Sequence, residues 1–161
     1  MALKTIMTAL VLAAGLGLGA EAALAADPAP APTTAGGKAV LTRQAHYKEL
    51  NGAFRAINEQ LRADAPDKAA IAANAAKMKA LAADLPSWFP KGSGPEAGVK
   101  TAAKAEIWTD AAGFAAAATK LQDETAKLQD VAAGGDLDTI KAQVRATNAA
   151  CKACHDKYRG A

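Results

Sequence analysis

The sequence predicts an all-α protein, an antiparallel four-helix bundle, on three observations. Four segments carry their larger apolar residues at alternating intervals of three and four, the repeat that gathers them on one stripe of a helix. Alanine supplies 46 of the 161 residues while Val and Ile are scarce, a composition that disfavours strands. Clusters of Gly and Pro separate the segments and keep most joints short, which sets successive helices side by side and antiparallel.

Residues 1–25 read as an export signal. Lys4 gives a positive start, Thr5 to Ala20 is uncharged and largely apolar, and Ala23-Leu24-Ala25 offers small residues to a signal peptidase. The uncharged run is shorter than the ~20 residues that span a bilayer. Cleavage and release into the periplasm are therefore expected, rather than a retained anchor. Residues 26–37 (ADPAPAPTTAGG) have no apolar face to bury and read as an extended tether, leaving 38–161 for the bundle.

The first helix is expected over about 39–62, with Tyr47, Leu50, Phe54, Ile57 and Leu61 on one stripe. Pro66 suits the first turn of a second helix, with Asp64 as its cap and Ile71, Met78, Leu81 and Leu85 as its larger residues, ending near Ala83. Three prolines and three glycines then bar regular structure from Leu85 to Lys100. A third helix is expected over about 102–133, its seam running through Ile107, Ala111, Phe114, Ala118, Leu121, Thr125, Leu128 and Ala132. Gly134-Gly135 ends it, and Asp136 caps a fourth. There Leu137, Ile140, Val144, Thr147, Cys151, Cys154 and Tyr158 repeat at three and four, so both cysteines fall on the seam.

Such a bundle is short of bulk. Beyond residue 25 only 26 residues carry a large apolar side chain or a thiol, a thin core for a domain of this size. A large apolar ligand between the first and fourth helices would complete it. The net charge of +3 is spread along the chain, which shows no nucleic-acid footprint.

Cys151-Lys152-Ala153-Cys154-His155 is C-x-x-C-H, the attachment sequence of c-type haem. Two thiols three residues apart on one helical face reach two vinyl groups of one porphyrin edge, and the adjacent His155 can place its Nε2 at the iron. Other uses of the cysteines fit less well. A thioredoxin-like pair belongs at the start of a helix in a βαβ unit, and here it ends a long helix in an all-α chain. Zinc would lack a fourth donor. A helical binding protein with a Cys151–Cys154 disulfide remains the alternative from a different class.

A haem motif at the very end of a four-helix exported chain resembles the cytochrome c′ (cytochrome c prime) family, the class II c-type cytochromes. Arg43-Gln44 resembles the family's Arg-Gln pair beside the haem. Trp88-Phe89-Pro90 with Gly92-Ser93-Gly94-Pro95 is similar to its loop between the second and third helices, and Ala105-Glu106-Ile107-Trp108 with Asp110 and Phe114 to its third-helix signature. Cys-x-x-Cys-His-x-x-Tyr-Arg, ending at Arg159, is similar to its terminus. The resemblance covers about residues 38–161 and implies one haem c, bound through Cys151 and Cys154.

Within that family, a methionine on the first helix makes a low-spin electron carrier. A nonbonding residue there leaves a five-coordinate iron that binds nitric oxide and carbon monoxide. The matching position is Tyr47. Its phenol is either one more body on the seam, a hydrogen-bond donor to a bound gas, or a phenolate ligand as in catalase. Met78 reads as a gap-filling core residue. His46 points about 100° away from Tyr47. It is expected at the solvated edge of the bundle, with a bis-histidine haem as the alternative. Arg43, one turn before Tyr47, is the expected propionate partner with Gln44 close by, and Arg159 is expected beside the proximal imidazole.

The function expected is electron transfer or gas binding without turnover, with a redox protein or a small gas as partner. A weak peroxidase is the enzymatic alternative, and it wants a distal base that the Tyr47 stripe does not offer. The family pairs through its first two helices, and the alanine-rich second helix suits a homodimer.

Overall fold

The computed structural model describes residues 34–160; the expected signal, 1–25, and most of the expected tether, 26–37, lie outside the described residues. The helices are α1 (Ala35–Gln60), α2 (Lys68–Asp84), α3 (Glu106–Thr109), α4 (Ala111–Gly134) and α5 (Leu137–Tyr158). Four long helices and one short one form the expected all-α bundle. No described helix is long and apolar enough to cross a membrane.

Local chemistry sets the ends. The Thr34 side chain accepts from the Gly37 amide and starts α1 inside the stretch read as tether. The cap of α2 is Asp67, not Asp64: its carboxylate accepts from the Ala70 amide, and Pro66 stands just before the cap rather than in the first turn. Gly135, at φ 70°, closes α4 by donating to the Val131 carbonyl, and Asp136 caps α5 by accepting from the Thr139 amide.

The expected third helix is broken at Asp110. Its carboxylate caps α4 at the Gly113 amide, and the other oxygen accepts from the Tyr158 hydroxyl at 2.8 Å and pairs with Lys157 of α5. Residues 102–104 run extended beside the C-terminus, where Gly160 donates to the Ala102 carbonyl and Lys104 to that of Tyr158. Ile107 therefore sits on α3, and Ala111 is exposed at the start of α4 instead of on its seam.

The core joins Leu50 and Ile57 of α1, Ile71 and Met78 of α2, Leu121 and Leu128 of α4, and Ile140 and Val144 of α5. Met78 is a core residue, as expected. Packing runs α1 on α2, α2 on α4 and α4 on α5, while α1 and α5 lack a comparable interface among the described residues. Two rows of heptad spacing border that gap. Tyr47, Phe54 and Leu61 on α1 are half-buried, and so are Cys151 and Leu137 on α5, with Val144 between them.

Glu124 is a charged residue on the buried face of α4. It is 4% exposed and holds α5 by accepting from Gln143 at 2.6 Å, while Lys120 and Lys127 bond its other oxygen. Lys120, then Gln143, then Lys127 hold its carboxyl at about 2, with burial opposing them. A depressed carboxyl stabilises the fold above its unfolded value, 4.5, and that stabilisation is lost as pH falls toward 2. Both lysines are largely exposed, so the enclosed Gln143 bond carries most of it. Glu124→Gln is expected to cost about 1–2 kcal/mol at neutral pH. Chemical denaturation at pH 7 and pH 2.5 should show that difference closing at the lower pH; a constant difference would contradict it.

Candidate functional site

Cys151 and Cys154 lie half-buried on the inner side of α5 and form no disulfide with each other. Burial raises the pKa of each, and the Cys154 charge adds to the rise at Cys151. That is the opposite of the lowered thiolate a redox-active pair needs. His155 follows on the exposed side of α5. Its pKa is held below the ordinary imidazole value, first by partial loss of solvent and then by the Arg159 charge, with Asp156 opposing. A neutral imidazole keeps the lone pair that ligates iron. Arg159 thus acts on His155 from one turn away, and its own amide donates to the His155 carbonyl at 3.0 Å.

Tyr47 faces these thiols from α1. Its phenol pKa is raised, first by burial and then by Cys154 and Cys151, with Arg43 pulling the other way. The phenol is therefore neutral over the physiological range and offers a donor. Trp88 stands edge-on to it at 5.2 Å and Phe89 at 6.3 Å. From Phe89 the ring contacts continue through Phe114 at 4.9 Å to Tyr158 at 5.4 Å. The line of rings runs from α1, past the loop and α4, to the residue three places beyond His155. The periodicity of the sequence did not reveal this wall, because Trp88 and Phe89 lie on a turn-rich segment without a helical repeat.

Arg43 is 3% exposed beside Tyr47. It donates to the Trp88 carbonyl at 3.3 Å, to the Ser93 hydroxyl and carbonyl at 3.0 and 2.9 Å, and to the Thr101 hydroxyl at 3.0 Å, and lies 4.5 Å over the Phe89 ring. All of these partners are neutral, and no described ion pair includes Arg43. Burial accordingly lowers its pKa, with Tyr47 opposing. An enclosed guanidinium held by dipoles alone fits a site that receives an anion from a ligand. Gln44 donates to the Lys100 carbonyl at 2.9 Å, fixing the same loop. Ser93 and Thr101, missed in the sequence, carry that brace.

His46 departs from expectation. It is half-buried rather than solvated, its ring lies 4.7 Å from that of Trp88, and its Nδ1 is enclosed without a hydrogen-bond partner. The loop after α2 brings Trp88 over α1 at this height, which the spacing of α1 alone could not show. His46 and Tyr47 thus both pack against Trp88, and Tyr47 also lies beside the thiols.

The donor set fits a haem. Two thiols three residues apart, a neighbouring neutral imidazole, an open gap between α1 and α5, and a buried cation lacking an anion meet at one end of the bundle.

Comparison with known proteins agrees with that fit. The family model for cytochrome c′ matches residues 38–159. A cytochrome c′ of Alcaligenes xylosoxydans xylosoxydans is 40% identical over 122 residues, spanning 75% of this chain and 92% of that protein. A cytochrome c′ with ligand-controlled dimer dissociation superposes with a TM-score of 0.75 at 26% identity, over 80% of this chain and 98% of that one. Variants of Alcaligenes xylosoxidans cytochrome c′ bound to nitric oxide and to carbon monoxide superpose with a TM-score of 0.70 at 35% identity, covering 78% and 97% of the two chains. The chain belongs to the cytochrome c′ family, whose cofactor is covalently attached haem c.

Proposed function

We propose that this protein is an exported, periplasmic haem c protein that binds a small gas such as nitric oxide or carbon monoxide, and passes electrons, without turning over a substrate. The observation that carries the reading is Tyr47. It stands where a methionine would make a six-coordinate electron carrier, and it presents a neutral phenol to the thiol-lined gap. Variants of one relative of the same fold, the cytochrome c′ of Alcaligenes xylosoxidans, are found with nitric oxide and with carbon monoxide bound.

Bound there, haem would supply a redox-active iron able to take a diatomic gas. Cys151 and Cys154 would anchor the group by their sulfurs, and His155 would offer its imidazole nitrogen to the iron. Burial, and after it the Arg159 charge, would favour the neutral imidazole. Arg43 provides the counter-charge for a propionate, with Gln44 fixing the loop that holds Arg43 in place. Tyr47 would offer its hydroxyl as a hydrogen-bond donor to a gas held in the gap, with the Trp88 ring packed against it. Among the described residues Tyr47 itself offers no base to move a proton, and the imidazole of His46 is taken up in packing against Trp88, which favours binding over peroxidase turnover.

Tyr47→Phe removes one hydrogen bond, worth about 0.5–1.5 kcal/mol. It should therefore speed gas release about threefold to tenfold in flash or stopped-flow measurements, with the ferric spin state nearly unchanged. Unchanged release would reject the donor role. A low-spin ferric spectrum that survives Tyr47→Phe and disappears in His46→Ala would replace it with a bis-histidine carrier.

Assembly is proposed as a homodimer through α1 and α2. Both helices present small residues outward, including Ala45, Gly52, Ala73 and Ala80. Sedimentation at micromolar concentration should give the dimer mass, and a monomer alone would reject this.

A further inference from the structure

Beyond the thiols, the gap between α1 and α5 continues away from the haem end as an open groove of about 570 Å³. A smaller hollow of about 290 Å³ shares Asn58, Arg62, Val144 and Arg145 with it. Its chemistry differs from that of the haem end. Arg55 on α1 and Arg62 in the turn just past its end form one wall, and Arg145 and Lys141 on α5 the other. Glu59 is the only carboxylate among the lining residues, and its pairing with Arg55 is loose, at 3.9 Å between two largely exposed side chains. Lys141 pairs with Asp138 at 3.5 Å. Arg62 and Arg145 enter no ion pair and no side-chain hydrogen bond with any described residue. The carboxamides of Asn51 and Asn148 add further donors to the two walls.

We infer that this groove is a binding site for a small multivalent oxyanion, distinct from the haem site and independent of the reading given for it. Two guanidinium forks from opposite walls can each take one carboxylate or phosphate group in bidentate fashion, which an ammonium does less well. A single charge would engage one wall only, whereas an anion with two or more groups bridges α1 and α5 where the bundle itself does not pack them. Phe54 and Val144 give the floor an apolar surface for a short carbon spacer. Carboxylate and phosphate share this recognition, so the source of the oxyanion is settled by which probe binds.

The test is calorimetric titration of the mature, haem-loaded protein at low ionic strength with inorganic pyrophosphate, citrate and acetate. One-to-one saturable binding of pyrophosphate or citrate is expected, with acetate at least tenfold weaker; the stronger of the two identifies a phosphate or a carboxylate ligand. Arg62→Gln with Arg145→Gln should weaken that binding at least tenfold while far-ultraviolet circular dichroism and the haem spectrum stay unchanged. Lys38→Gln with Lys79→Gln, which removes the same charge from exposed positions outside the groove, should leave it intact. Absence of saturable binding overturns the assignment. So does an equal loss in both double variants, which would mean general charge attraction.

Discussion

Replacing both Cys151 and Cys154 with alanine is expected to abolish covalent haem and to leave a chain without a cooperative thermal transition. The reasoning starts from bulk. At the haem end of the bundle Tyr47 on α1 and Cys151 and Cys154 on α5, all half-buried, do not close on each other. With 26 large apolar side chains or thiols beyond residue 25, nothing else is available to fill the space between them. Arg43 would also lose the propionate proposed as its counter-charge. The measurement is haem retained after denaturing extraction, together with circular dichroism on heating. A double variant that melts cooperatively near the unmodified protein would show that the helices close without the group.

Arg43→Ala carries the second large effect. It removes four hydrogen bonds to Trp88, Ser93 and Thr101 and leaves the Trp88 and Ser93 carbonyls without that donor inside the fold, where Ser93 is fully buried; Thr101 Oγ1 keeps the Ala103 amide. Hydrogen bonds to a charged donor contribute about 1.5–3 kcal/mol each and are not additive within one hub, so a loss of about 3–5 kcal/mol is expected. For a domain of this size that lowers the melting temperature by more than about 10 °C. Arg43→Lys should recover only part of it, because an ammonium lacks the planar fork. A shift of a degree or two in Arg43→Ala would mean that the loop does not depend on this brace.

The legible parts of the molecule are those fixed by local pattern. The seam of α5 repeats at three and four from Leu137 to Tyr158, and the structure buries Ile140, Val144, Thr147 and Tyr158 along it. Gly135 and Asp136 mark the turn into α5 by their own chemistry, and the C-x-x-C-H run names its cofactor by spacing. What escaped depends on partners distant in sequence. The break at Asp110 is invisible in a repeat that continues from Ile107 to Ala118, because the carboxylate that makes it is held by Tyr158 and Lys157 of α5. His46 was placed at a solvated edge because only α1 was in view, and Trp88 arrives from another segment. Glu124 escaped because a charge on a buried face contradicts the apolar pattern. The lysines at its i−4 and i+3 positions were the available signal.

The absorption spectrum of the mature protein, recorded oxidised, reduced, and reduced under carbon monoxide, tests the central claim most directly. That claim is a haem anchored by Cys151 and Cys154, ligated by His155, and left open on the Tyr47 side. The predicted result is a mainly high-spin oxidised form and a reduced form that takes up carbon monoxide readily. A low-spin spectrum in both oxidation states, unaltered by carbon monoxide, would contradict the account.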